Sequence, residues 1–184
     1  MTSRKYATEW AAAVARTKRF GLDVPTHLIE PERRYLTDQR HAEFPKVIRR
    51  DLGDLNLSDL LMQCMSIHYR LLPVLEKWLE CPVLYTIGWV DDGTDTGMFK
   101  FDDGFIADKL EKGHTGSTIN IHAWLTLPSM EVIDLALTTA LAHMHGLREG
   151  HGEAIAGHAD ELTNMTYKPM LVGHDFLRKT GLQV

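Results

Sequence analysis

The feature that most constrains the fold is a strict alternation over residues 119–127 that halts at Pro128-Ser129 and resumes over 131–135. Ile119, Ile121, Ala123, Leu125 and Leu127 fall on one side; Asn120, His122, Trp124 and Thr126 fall on the other. That is the two-residue period of a β-strand, and Pro128-Ser129 is a turn, so the returning segment pairs antiparallel. A hairpin with one face this apolar packs that face on another layer of structure.

The front of the chain supplies helices for that purpose. Residues 3–20 read as a helix with Trp10, Ala11 and Val14 on one side and Gly21 at its end. Residues 22–44, with Pro25, Pro31 and the charged run PERRYLTDQRH, have no clear period and read as a loop-rich wrap with a solvated face; 46–57 read as a short connection broken at Gly53. Ser58-Asp59 reads as the cap of a long helix to about Glu80, with Leu61, Met65, Leu72, Leu75 and Leu79 on its apolar side and a kink at Pro73. PVLYTIGWV, residues 82–90, is dense in β-branched and aromatic residues and reads as a strand. Residues 91–116 hold three turn signals around MFKF and read as a hairpin and loop. Residues 137–147 read as a helix, 148–166 as irregular, and 167–172 as a last strand before a short helix. Helices first and strands after give an α+β class in a single domain, divided into an N-terminal helical wrap (1–57), a core (58–135) and a C-terminal extension (136–184).

Composition narrows the function classes. A net charge of −5 and a pI near 6.0 offer no basic footprint for nucleic acid or an anionic membrane. No stretch approaches the ~18 apolar residues of a membrane span. The opening MTSRKYATEWAAAVARTKRF is interrupted by charges throughout, so the expected location is cytoplasmic, or exported without a cleavable signal peptide. Two cysteines do not make a disulfide framework, and a Cys64–Cys81 bridge would have to span the helix between them.

Three residues carry the chemistry. Cys64 stands near the front of a helix, His122 lies in the alternating strand and Asp134 lies in its returning partner. A thiol attacks, an imidazole takes its proton and a carboxylate holds the imidazole's tautomer. If the turn centres on Pro128, paired residue numbers sum to 256 and His122 falls directly opposite Asp134, within reach of it; a longer turn makes the pair diagonal. A helix N-terminus favours thiolate, which suits Cys64 if the helix begins near Gln63 and suits it less if it begins at Ser58. His68, four residues after Cys64 on the same helical side, is the rival base, with no evident orienting carboxylate.

The run from Cys64 through LLPVLEKWLECPVLYTIGW, followed by HAWLTLPSMEVID, resembles the core of the transglutaminase-like proteins within the wider papain-like group. The likeness covers residues 58–135 in the family's order of Cys, His, Asp. It implies a papain-like, transglutaminase-like architecture, with a nucleophile helix packed on an antiparallel sheet and Cys64, His122 and Asp134 as a triad. The implied activity is cysteine-dependent amide hydrolysis (peptidase or amidase) through a thioester, on a protein or peptide-like substrate and without a cofactor. Glutamine deamidation and transglutamination share that intermediate, and a delivered bacterial effector toxin is one setting for it. The backbone N–H of Cys64 and the side chain of Gln63 are the candidate oxyanion donors. Trp89 and Trp124 are candidate cleft walls, or core. From another class comes a non-catalytic binding module whose His143, His145, His151 and His158 hold a metal; their spacing matches no strong zinc pattern, and no metal site is assigned. The DDGTDTG loop lacks the closing Glu of a calcium loop. Cys81 reads as core or surface.

Overall fold

The computed structural model describes residues 5–116, 118–147 and 149–182. Ser3 and Arg4, the start expected for the first helix, lie outside them. Seven helices and five strands occur among the described residues: α1 (Lys5–Arg19), α2 (Asp38–Leu52), α3 (Leu57–Leu60), α4 (Cys64–Leu79), β1 (Leu84–Asp91), α5 (Asp103–Lys112), β2 (His122–Thr126), β3 (Glu131–Asp134), α6 (Leu137–Met144), β4 (Ile155–His158), β5 (Thr166–Val172) and α7 (Asp175–Thr180). The class is α+β, with one open sheet in the order β4-β3-β2-β1-β5. The β1–β5, β2–β3 and β3–β4 pairs are antiparallel. The chain forms two compact units interleaved in sequence, one of residues 1–26, 85–123 and 159–184, the other of residues 27–84 and 124–158.

In the first unit α1 lies against β5. Tyr6, Trp10, Ala13, Val14 and Thr17 form its buried stripe. Thr17 fastens the contact: its hydroxyl donates to the Ala13 carbonyl at 2.8 Å and accepts the Val172 N–H at 2.9 Å. The β1–β5 ladder shifts register between Ile87 and Gly88, the place where a glycine relaxes a strand. Gly173, at φ +90°, follows β5; a Cβ there would stand 2.9 Å from Pro25 Cδ and 3.1 Å from the Asp23 carbonyl, so no side chain fits. Residues 91–116 are not a simple hairpin and loop. Val90 and Met98 form an isolated bridge, and the Asp102 side chain accepts the Phe105 N–H at 2.9 Å to start α5.

In the second unit the loop-rich reading of 22–57 is corrected: α2 runs Asp38–Leu52, capped by Thr37, with Pro45 inside it. The PERRYLTDQRH run is not all solvated either, because Tyr35 and Leu36 are buried and Arg33 lies over the Tyr35 ring. The long helix from Ser58 is two helices. Asn56 caps α3, Met62 takes φ 58°, and α4 starts afresh at Cys64. That break resets the phase, so the buried side of α4 is Ile67, His68, Leu71, Leu75 and Leu79. Irregular 148–166 contains β4 and a 3-10 turn at Ala159–Glu161.

The β2–β3 hairpin turns through Pro128, Ser129 and Met130. Met130 N–H donates to the Leu127 carbonyl and Leu127 N–H to the Glu131 carbonyl, both at 2.9 Å, and Met130 takes φ 67°. This is the three-residue loop with a left-handed last residue. Below it the buried Glu131 carboxylate accepts the N–H groups of Tyr35 (2.8 Å) and Leu36 (3.1 Å) and the Ser129 hydroxyl. Residues 121–137 are all buried, so neither side of β2 faces solvent.

Candidate functional site

Cys64 is the first residue of α4, a helix of 16 residues, and its side chain is half-buried. Of the two starts considered from sequence, the late one is present. Met62 turns the chain in the left-handed region, and Gln63 becomes the residue before the helix, giving no side-chain cap. The Gln63 carbonyl accepts the Ile67 N–H at 2.9 Å, and its side-chain oxygen accepts the Ser66 hydroxyl at 2.8 Å. The amide of Gln63 is thus held along the first turn of its own helix. A thiol at the first position of such a helix sits at the positive end of the macrodipole.

His68 is fully buried one turn later. Its Nδ1 lies 2.7 Å from the Cys64 carbonyl oxygen and its Nε2 lies 2.9 Å from the Leu135 amide nitrogen. A carbonyl only accepts and an amide N–H only donates, so Nδ1 carries the proton and Nε2 is the acceptor. Both ring nitrogens are committed to backbone groups. Contrary to the expectation from sequence, His68 does have a carboxylate beside it: Asp134 Oδ1 stands 3.6 Å from Nε2. That separation is beyond a hydrogen bond, and two acceptors face each other across it.

Asp134 ends β3, fully buried. Its Oδ1 accepts the N–H groups of Ala136 at 2.9 Å and Leu137 at 3.0 Å, meeting orphan donors at the start of α6. The β2–β3 register pairs Leu125 with Ile133 and Thr126 with Val132. The sum is therefore 258, not 256, and one step further Trp124, not His122, stands opposite Asp134. The direct opposition expected from sequence is corrected; its cause is the left-handed Met130, which lengthens the loop. Trp124 is fully buried and belongs to the core.

In the other unit His122 opens β2 at 1% exposure, and its ring stacks on Phe99 with centroids 5.2 Å apart and planes 21° from parallel. Phe99 is itself left-handed, at φ 60°. Trp89 is half-buried; Lys100 Nζ lies 4.9 Å from its ring centre, and a Cβ on Gly97 would press within 2.8 Å of it.

Cys81 is buried, and burial pushes its thiol up to about 11; Arg33 and Arg40 pull it down, and Glu131 and Glu30 add to the rise. It and Cys64 are not joined in a disulfide. Among the described residues no three His, Cys, Asp or Glu side chains group to hold a metal, and no helix is long and apolar enough to cross a membrane. Sequence reasoning missed a pocket of about 640 Å³ between α2 and the β4 side of the second unit, walled by Phe44, Ile48, Leu60, Leu135, Glu153 and Ala156. Its walls include residues of α2 and β4, the two elements that turn and charge signals concealed. No family model, curated protein or solved structure matches the chain.

Proposed function

We propose that this chain is a cysteine-nucleophile hydrolase acting on an amide bond of a protein or peptide-like substrate, built on a papain-like, transglutaminase-like plan. The observation that carries the reading is the position of Cys64 as the half-buried first residue of α4. There the backbone N–H groups of the first helical turn stand where a developing oxyanion can be met. The roles of the other two residues come from their chemistry and chain order. His122 deprotonates Cys64, whose sulfur attacks the carbonyl carbon. The tetrahedral oxyanion takes the Cys64 N–H as one donor. As it collapses, the C–N bond breaks, the amine leaves with the proton from His122, and a thioester remains. Water then loses a proton to His122, adds to the thioester and releases the acid and the thiol. Asp134 holds the tautomer of His122 through these transfers. Hydrolysis is preferred over acyl transfer because water needs no acceptor pocket.

The reading is tested by mass spectrometry of a proteome incubated with wild-type protein and with Cys64→Ala. New peptide termini that appear only with wild type are expected. Deamidated glutamines or crosslinks in their place would reassign the enzyme to those reactions. Identical proteomes, with a Cys64 no more reactive than a cysteine in a short peptide, would refute catalysis.

A further inference from the structure

A histidine with no exposed surface is costly to bury unless its polar atoms are met, and at His68 they are met by the backbone on both sides. The residue joins two places that a cysteine hydrolase must hold still. On one side is the carbonyl of Cys64, which also takes the His68 backbone N–H as the ordinary helical bond; a carbonyl has lone pairs for both. On the other is the N–H of Leu135, the residue after Asp134. We propose that His68 is a positioning residue: its neutral Nδ1–H imidazole ties the first turn of the Cys64 helix to the end of β3, so that the nucleophile and Asp134 share one rigid frame. The inference rests on Cys64 being the nucleophile.

The geometry separates this role from two others. As a general base His68 would need a ring nitrogen with an available lone pair, and Nε2 spends its lone pair on the Leu135 N–H while Nδ1 holds a proton for the Cys64 carbonyl. As plain filling, a leucine or phenylalanine would pack the site without any polar group to satisfy. The side chain instead fits one acceptor and one donor that belong to different elements. Asp134 Oδ1 accepts the Ala136 and Leu137 N–H groups and, at 3.6 Å from Nε2, stands beyond hydrogen-bond distance of the ring.

The first measurement uses the wild-type protein. Two-bond ¹H–¹⁵N correlation at about pH 7 is expected to show His68 protonated at Nδ1 and unprotonated at Nε2; the opposite tautomer overturns the proposal. The second compares His68→Gln, whose amide oxygen reaches the place of Nε2 and can accept the Leu135 N–H, with His68→Phe, which keeps the ring and loses both bonds. Alkylation of Cys64 is followed against pH, with thermal unfolding in parallel. His68→Phe is expected to slow Cys64 about tenfold and His68→Gln to recover to within about threefold, with the midpoint of the pH profile unmoved. A Phe variant as fast as wild type, or a Gln variant as slow as Phe, makes the residue mere packing. A midpoint displaced in the Gln variant makes it a base. Should His68→Phe not fold, the tautomer and the Gln variant decide the matter. If wild-type Cys64 reacts no faster than a peptide thiol, the hydrolase reading fails, while the tautomer still reports on the tie itself.

Discussion

Raising the pH during alkylation by iodoacetamide separates what burial does to a thiol in this protein from what a catalytic setting does. Cys81 is 8% exposed, and burial, partly offset by Arg33 and Arg40, pushes its thiol up to about 11. Only the thiolate reacts, so near pH 7 about one Cys81 in 10⁴ is reactive, against about 3% of an unperturbed thiol. Cys81 is therefore expected to label about 300-fold more slowly than a cysteine in a short peptide, with the rate rising about tenfold per pH unit towards pH 11. A faster Cys64 would thus prove little by comparison with Cys81 alone, since any exposed cysteine outruns that residue. The informative standard is the peptide. As a nucleophile Cys64 should exceed the peptide at about pH 6–7, and His122→Ala should bring it down to the peptide's rate. Labelled and digested samples read by mass spectrometry give both rates in one experiment. A Cys64 that tracks the peptide at every pH, indifferent to His122→Ala, sinks the catalytic role. A Cys81 that labels at the peptide's rate near pH 7 refutes the burial argument.

Three other substitutions test the frame. Glu131→Ala strands the buried N–H groups of Tyr35 and Leu36 and the Ser129 hydroxyl, and should cost about 3–5 kcal/mol in urea unfolding; a loss under about 1 kcal/mol would show that the clamp is not needed. Burial raises the Asp175 carboxyl, but the Asp23 N–H, Arg178 and Lys179 outweigh it and leave the group below the usual range. Its contribution is thus present above the unfolded value of about 3.9 and lost as pH falls through the lower folded value. Asp175→Asn should destabilise near pH 7 and cost nothing in strong acid; an equal cost at both pH values contradicts the sign. Asp134→Asn keeps an oxygen for the Ala136 and Leu137 N–H groups while removing the charge, so the unfolding midpoint should hold within about 1 kcal/mol while Cys64 loses its excess reactivity. Full retention of that reactivity would leave Asp134 as a cap alone.

What could be read from the residues follows from which signals have a single meaning. The β2–β3 hairpin, β1 and β5 announced themselves through alternation and β-branched density, which few other structures produce. Asp102-Asp103-Gly104 did not, because the side-chain oxygen that stabilises a turn is the same group that caps a helix, and here it caps α5. Pro45 and the flanking charges hid α2, whose buried residues are only Phe44 and Val47, too few to print a period. Ile-Ala-Gly-His is too short to declare β4. Met62 and Met130 both take left-handed backbone with a residue type that does not advertise it. The first of these hid the fresh start of α4, and the second moved the hairpin register. Chain order put Cys64, His122 and Asp134 on a helix and two strands, as found; the tie through His68 was not legible, because its partners are backbone groups.

Asp134 shows why a buried carboxylate in a sequence is hard to assign. Such a group has to find donors whether or not it serves a reaction, since leaving it unmet costs more than most single contacts contribute. At the end of β3 the chain turns directly into α6, and the opening N–H groups of that helix are donors already in reach. The carboxylate is thereby fixed by local structure alone. Its Oδ1 belongs to α6. In the proposed triad such an acid would carry no separate stability penalty, because the helix start needs the same residue. The same economy makes Asp134→Ala uninformative: it removes the cap and the charge together. The asparagine at that position is the substitution that distinguishes them.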